Sequence, residues 1–165
     1  MQSHPPSTSR VDHLVWQIEG GYAHESFESL LDAVPHDRRG DVPAGLAHSA
    51  WQILDHVRRC QRDLIDYVVD ESYQLPQFPD DLWPHEPQPP SENAWDTAIA
   101  HYLQDRETLI EQVRSFPHGG LDAVLPHVEP TTWHRQVLIV CDHVAYHAGQ
   151  LSLYVSLLRN EEDRS

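Results

Sequence analysis

Apolar residues recur at helical spacing in four segments of this chain, and proline-rich stretches separate these segments. The spacing predicts helices over about 11–34, 49–70, 91–115 and 131–159. Two glycines at 20–21 divide the first segment and predict a kink, and Ser49 with Gln52 at the start of the second matches a capping box. Four long amphipathic helices without a convincing strand predict an all-α fold, a four-helix bundle.

The stretch between the second and third predicted helices, residues 71–90, is rich in proline and too long for a hairpin turn. Extended chain covers about 3.1 Å per residue, so this stretch can run the length of a helix of about 30 Å. We therefore expect the third helix to start at the same end as the second. One long crossover and two short connections predict an up-down-down-up bundle, which residues 1–165 build as a single domain.

The charge of the chain limits the partners that it can take. It has 26 acidic and 11 basic residues, a net charge of −15, and no lysine. Such a surface repels phosphate backbones, which argues against nucleic-acid binding, and chemistry that needs a lysine amine is excluded. No apolar run is long enough to span a membrane, and the first residues do not resemble a secretory signal. We expect a cytoplasmic protein without nucleic-acid or membrane partners.

Two histidines, His143 and His147, are spaced by one helical turn inside the apolar fourth segment, and His56 lies on the apolar stripe of the second. On facing helices, three neutral imidazoles can bind one divalent ion and leave a coordination position open. The alternative is that the histidines are tolerated in a core. A zinc-protease motif is excluded, because Val144 stands where that motif has glutamate.

The two cysteines, Cys60 and Cys141, do not make a disulfide framework. They are interpreted as small buried side chains in a reducing compartment. Cys60 follows His56 by one helical turn, however, and therefore remains an alternative metal ligand.

Four further side chains have both a structural and a functional interpretation. His24 is a surface histidine, or a proton carrier or substrate contact at the mouth of a pocket. Arg106, in the inward register of the third helix, is an ion-paired arginine or a clamp for a substrate carboxylate. Gln150 is an ordinary polar position or a hydrogen-bond partner of a metal-bound ligand. Trp83 in the crossover is a packing residue or the wall of a pocket.

The stretches HSAWQILDHVRRCQRDLIDY and DHVAYHAGQL resemble the two signature helices of the DinB/YfiT-like superfamily. GGYAHESFESLLDAVP, WPHEPQPPSENAWD and HRQVLIVCDH extend the resemblance to one bacterial subgroup over about residues 11–159. The resemblance implies an up-down-down-up bundle, often dimeric, with a divalent metal on three histidines, which by position are His56, His143 and His147. That subgroup often has glutamate before the first of these, where this chain has the shorter Asp55.

The residues and the resemblance together favour a metal-assisted enzyme on a small molecule. Some relatives are thiol-dependent isomerases or transferases, so this chemistry is expected ahead of hydrolysis, and the open position is expected to accept a thiolate or an anion. The ion is expected to be zinc, nickel, iron or manganese, since three imidazoles suit each of them. Two other classes remain: a non-catalytic metal or small-ligand binder, and an interaction module without metal. A homodimer is expected from the resemblance.

Overall fold

The fold is all-α, as the sequence predicts. The computed structural model describes residues 8–70, 72–115, 120–125 and 131–162, with only the backbone of Leu125 and Glu162. Within these ranges the helices are α1 (Arg10–Glu19), α2 (Phe27–Asp32), α3 (Ala50–Val69), α4 (Ala94–Arg114) and α5 (Trp133–Glu162). Short 3-10 turns lie at His36–Arg38 and Gly120–Asp122, and β1 (Val124–Leu125) pairs antiparallel with β2 (Thr131–Thr132). None of the described helices is long and apolar enough to cross a membrane.

Two helices, α1 and α2, replace the single kinked helix that the sequence predicts over 11–34. Gly20 and Gly21 both have positive φ, 71° and 73°, a conformation that glycine adopts without steric penalty and that ends a helix. A new helix then starts behind Ser26, whose hydroxyl accepts a hydrogen bond from the Ser29 amide at 3.2 Å. The glycine pair therefore breaks the helix instead of bending it.

The predicted capping box of the second segment is present at the start of α3. The Ser49 hydroxyl accepts from the Gln52 amide at 3.1 Å, and the Gln52 side chain accepts from the Ser49 amide at 3.1 Å. At the start of α5, the Thr132 hydroxyl accepts from the Arg135 amide at 3.2 Å. These caps hold the first turns of the two helices that carry the histidines.

The apolar core consists of two clusters, one at each end of the long helices. The first cluster comprises Phe27, Leu30, Leu31, Val34, Ala50, Trp51, Ile53, Leu54, Val57, Trp95, Ala98, Tyr102, Ala148, Leu151, Tyr154, Val155 and Leu158. The second cluster comprises Leu14, Val15, Ile18, Ile65, Leu109, Ile110, Val113, Leu121, Trp133, Val137, Val140 and Cys141. Along α5, Cys141 is the last residue of the second cluster and Ala148 is the earliest residue of the first cluster. His143 and His147 lie between them.

Polar side chains on α3 and α4 lie between the residues that build the two clusters. The buried Gln61 donates its side-chain N–H to the Tyr102 carbonyl at 2.8 Å. Arg62 pairs with Asp105 at 2.9 Å. These bonds satisfy the polar groups that the middle of the helices places inside the bundle.

The crossover 71–90 is fastened to α3 by side chains that donate to its backbone carbonyls. Arg59 donates to Asp81 O at 3.1 Å and His56 to Leu82 O at 3.0 Å. Further toward the start of α3, Gln52 donates to Pro84 O at 3.0 Å and Ser49 to Pro87 O at 2.6 Å. The residue numbers of the acceptors increase along this series while those of the donors decrease. This part of the crossover therefore runs antiparallel to α3 and covers the face that carries His56.

Candidate metal centre

The three histidines selected from the sequence meet at one point between α3 and α5. His143 Nε2 lies 3.1 Å from His56 Nε2 and 3.1 Å from His147 Nε2. His56 and His147 are almost completely buried, and His143 is partly buried. The one-turn spacing on α5 places two of the rings on one face, and α3 supplies the third from the opposite side.

Hydrogen bonds outside the cluster fix which ring nitrogens carry protons. His56 Nδ1–H donates to the Leu82 carbonyl at 3.0 Å, because a carbonyl can only accept. His147 Nδ1–H donates to Gln150 Oε1 at 2.7 Å. When neutral, both rings therefore carry a bare lone pair on Nε2, directed toward His143.

Hydrogen bonding alone cannot satisfy this arrangement. His143 Nε2 has two lone-pair neighbours at 3.1 Å, and a neutral imidazole has at most one proton on that nitrogen. A cation shared by the three nitrogens satisfies all of them. Two nitrogens bound to one ion at about 2.0–2.1 Å, with angles of about 90–110°, lie about 2.8–3.4 Å apart. The observed separations fit that range.

Burial keeps these imidazoles neutral near pH 7. Desolvation is the largest cause that lowers the pKa of His143, to about 3, and the neighbouring His147 and His56 lower it further. Desolvation also lowers the pKa of His147 to about 4 and lowers that of His56. Neutral imidazole is the form that binds metals, so few protons compete for the site at physiological pH.

Cys60 brings a sulfur atom to the same point. Its Sγ lies 3.5 Å from His56 Nδ1 and 3.7 Å from His56 Nε2. One ligand atom each from His56, Cys60 and His143 lie within 4.8 Å of one another, and this group could hold a metal ion. Burial raises the pKa of the Cys60 thiol to about 12, so without a cation the sulfur stays protonated. The one-turn spacing from His56 was the sequence signal for this neighbour.

A cavity of about 490 Å³ opens onto the cluster. Its wall includes Trp83 of the crossover, which stacks between the His56 ring, at 3.7 Å between centroids, and the His48 ring, at 4.1 Å. Tyr146 and the exposed Phe78 line the same cavity. Trp83 therefore walls a pocket, one of the two interpretations that its sequence position allows.

The other candidate residues from the sequence fall in different places. Gln150 lies at the centre, bonded to His147 and lining the cavity. Arg106 forms an ion pair with Glu28 and does not line this cavity. His24 bonds to the Glu25 carbonyl at 2.7 Å and lines two other cavities. The structure thus brings Gln150 to the histidines and leaves Arg106 and His24 outside the cavity.

The lining residues that were not singled out from the sequence include the polar side chains of His48, Asp63 and Tyr146. Asp63 follows His56 by two helical turns, so helical periodicity on α3 was a signal for it. Tyr146 directly precedes His147 and is 64% exposed, at the rim of the cavity. His48 lies before the capping box, and no pattern in the sequence places its ring against Trp83.

Comparison with known proteins gives one result at the level of families. A family model described as the DinB superfamily matches residues 21–151 of this chain. The matched range includes His56, Cys60, His143 and His147 and begins after α1. No curated protein and no solved structure matches the chain.

Proposed function

Because this chain belongs to the DinB superfamily, we propose that it binds one divalent metal ion through His56, His143 and His147 and uses it in a reaction on a small molecule. The observation that carries the proposal is the convergence of three Nε2 atoms, with both contacts to His143 at 3.1 Å. In His56 and His147, the Nδ1–H groups donate to Leu82 and Gln150, which leaves the lone pair of Nε2 free to bind the ion.

The protein's own groups orient and shield the ligands. The Leu82 carbonyl and the Gln150 amide fix the ring orientations of His56 and His147, which raises their strength as ligands. Trp83 covers one face of His56 and keeps water from it. The cavity beside the rings has room for a small organic molecule.

Thiol-dependent transfer or isomerisation is the first reaction class that we propose, and hydrolysis is the second. When bound, the ion supplies a Lewis acid that polarises a small-molecule group or lowers its pKa. Three neutral ligands leave the charge of the ion uncompensated, which favours a thiolate or another anion in the open position. Zinc, nickel, iron and manganese remain the candidate ions, since imidazole suits each of them.

Metal analysis of protein made without a histidine tag tests the metal centre. We expect one equivalent per chain, and His56→Ala should lose most of it, because two remaining histidines hold an ion poorly. Unchanged affinity in His56→Ala would overturn the proposed ligand set. A cobalt-loaded sample titrated with small thiols tests the first reaction class, since a bound thiolate gives a charge-transfer band that His147→Ala should abolish.

A non-catalytic metal or small-ligand binder is the second candidate function. The favouring observation is that burial raises the pKa of Cys60, the thiol that lines the cavity beside His56, to about 12, so this thiol is not activated as a nucleophile. Turnover that a chelator abolishes selects the enzyme. Stoichiometric metal without turnover on thiol or ester substrates selects the binder, and no metal at all selects the interaction module.

We propose one domain with the order up-down-down-up, supported by which halves of the helices pack together. The first halves of α3 and α4 contribute to the first cluster and their second halves to the second, the pattern of a parallel pair. The first half of α5 contributes to the second cluster and its second half to the first, the pattern of a helix antiparallel to both. α1 contributes to the second cluster and α2 to the first. The chain from α1 to α2 therefore runs in the same direction as α5.

We also propose a homodimer, formed through the outer side of α5. Leu138, Tyr146 and Leu153 are 47%, 64% and 52% exposed and are spaced so that they share one side of the helix. Exposed apolar stripes of this kind favour association. Sedimentation at micromolar concentration tests it: Leu138→Glu with Leu153→Glu should dissociate the dimer, and a wild type that sediments only at 19.0 kDa would contradict it.

The proposed compartment is the cytoplasm. Both cysteines are free thiols, and reducing compartments keep thiols in this state. Labelling of the two thiols in intact cells and in lysates tests the compartment, since an oxidised pair in freshly lysed cells would argue against it.

A further inference from the structure

A second cavity of about 350 Å³ adjoins the cavity at the histidines. The two cavities share Asp63, Leu64 and Ile139 in their walls. Asp63 lies on the same face of α3 as His56, seven residues further along, which corresponds to about 10.5 Å of helix. A carboxylate therefore stands where the two cavities meet, two helical turns from the histidine cluster.

Asp63 has no cationic partner among the residues that the structure describes. The Tyr73 hydroxyl donates to it at 2.7 Å. Its arginine neighbours on α3 are engaged elsewhere, Arg62 with Asp66 and Asp105 and Arg59 with Asp55. Arg135 lines the second cavity, but no ion pair joins it to Asp63. Burial raises the pKa of Asp63, the direction expected for a carboxylate without a countercharge.

The surroundings of Asp63 suit a cation. Asp63 is the only formally charged side chain, histidines aside, among the described residues that line the cavity at the histidines. Phe78 and Tyr146 supply exposed aromatic rings in the same cavity, and such rings attract ammonium groups. The net charge of −15 raises the concentration of cations near the surface.

We infer that the small molecule bound by this protein carries a protonated amine, and that Asp63 together with the aromatic rings of Phe78 and Tyr146 forms the subsite for it. The amine enters as an alkylammonium group and forms a charge-assisted hydrogen bond to the Asp63 carboxylate. The other end of the same molecule points toward the histidine cluster. Only the placement of that second end rests on the function proposed above.

The amine subsite makes Arg106 unnecessary as a substrate clamp. Arg106 is paired with Glu28 outside the cavity, so a substrate carboxylate finds no arginine in the wall of the cavity at the histidines and meets Asp63 instead. In the absence of metal, the protein should therefore select amines over carboxylates of the same length.

Three six-carbon probes test this selectivity: hexylamine, hexanol and hexanoate. Their binding is measured by calorimetry on the full chain, with and without zinc, and the metal content of each sample is determined separately. In the zinc-free sample, hexylamine should bind at least about tenfold more tightly than either of the others, because only its ammonium group can form a charge-assisted hydrogen bond to Asp63. Equal binding of hexanoate and hexylamine to the zinc-free sample would overturn the amine subsite, since no ion is present there to hold the carboxylate, and this comparison needs no variant.

Asp63→Asn and the matched Asp66→Asn assign the selectivity to one carboxylate. Each removes one negative charge from the same helix, but Asp66 pairs with Arg62 and does not line the cavity. Asp63→Asn should lose about tenfold or more in affinity for hexylamine and keep its metal, whereas Asp66→Asn should keep both. Unchanged hexylamine binding in Asp63→Asn would overturn the subsite even if metal binds. Amine selectivity in a wild type that takes no metal would support the subsite and overturn the metal function.

Discussion

Trp83 lies flat against His56: the two rings are 3.7 Å apart between centroids and only 8° from parallel. The tryptophan comes from the crossover and the histidine from α3, so this contact joins an irregular segment to a candidate metal ligand. The neighbouring Leu82 carbonyl accepts the proton of the same histidine. One short stretch of the crossover thus sets both the burial and the tautomer of His56.

Trp83→Ala should raise the pKa of His56 toward its ordinary value near 6.5, because desolvation is the largest cause that lowers it. Metal affinity should fall by about tenfold or less, since no ligand is removed. Titration of the ring protons by NMR in the metal-free protein measures the pKa. Trp16→Ala is the matched control, because it removes a tryptophan ring that lies beside His13 instead. An unchanged His56 pKa would show that Trp83 does not shield the ring.

Gln150→Ala should weaken metal binding by about 10–100-fold, the usual effect of losing a group that orients a histidine ligand. The side chain accepts from His147 Nδ1 at 2.7 Å, and without it the ring can rotate or change tautomer. Gln150→Glu keeps an acceptor and should retain most of the affinity. Competition with a chelator measures both, and Gln104→Ala on the exposed side of α4 serves as the control. Equal affinities for all four proteins would remove Gln150 from the centre.

Cys60→Ala should keep the metal with nearly wild-type affinity, whereas His147→Ala should lose it. The proposed ligands are the three histidines, and the sulfur is a neighbour at 3.5 Å from His56 Nδ1. Metal content and the cobalt absorption spectrum separate the two cases. The reverse result, metal lost in Cys60→Ala and kept in His147→Ala, would replace the histidine set by His56, Cys60 and His143.

The metal-free protein should lose stability as the pH falls below about 6.5. The pKa values of His143 and His147 are lowered to about 3 and about 4 in the folded chain. Below about pH 6.5 the unfolded chain takes up protons on these histidines while the folded chain does not, so unfolding is favoured. Above that pH both states are neutral there, and the contribution is flat.

Urea unfolding between about pH 7.5 and pH 5 measures this loss before most carboxylates titrate. His143→Gln should reduce the dependence on pH, and His101→Gln, which changes an exposed histidine, should not. A free energy of unfolding that is constant over this interval would mean that the imidazoles are not held neutral by burial.

The helices and the histidines could be predicted because both follow the helical repeat. His143 and His147 share a face through their spacing alone, and the apolar stripe around His56 turns that residue inward. Ser49 and Gln52 identify the start of α3 through the chemistry of the cap. These inferences depend on local geometry, which the sequence encodes directly.

The crossover was predicted from its length and prolines, but the positions of its side chains could not be, because an irregular segment has no repeat that determines where they point. The position of Trp83 between His48 and His56 depends on carbonyls that meet donors more than twenty residues away in sequence. The break at Gly20 and Gly21 depends on two positive φ angles, which a pair of glycines permits but does not require. Arg106 was expected to face inward, as an ion-paired arginine or as a clamp for a substrate carboxylate, and the structure pairs it with Glu28 of α2.

The way in which α3 holds the crossover has a consequence for how this protein can diversify. Four side chains of this region donate hydrogen bonds to main-chain carbonyls of the crossover: Ser49, Gln52, His56 and Arg59. Every amino acid supplies such a carbonyl. Mutations of the residues other than proline along 81–87 should therefore exchange side chains and keep these backbone hydrogen bonds. Natural variants, or a laboratory library at position 83, can therefore change the side chain that lines the cavity. The helices that carry the three histidines keep their positions. Selectivity for the bound molecule can thus change while the backbone contact that fixes the tautomer of His56 is kept.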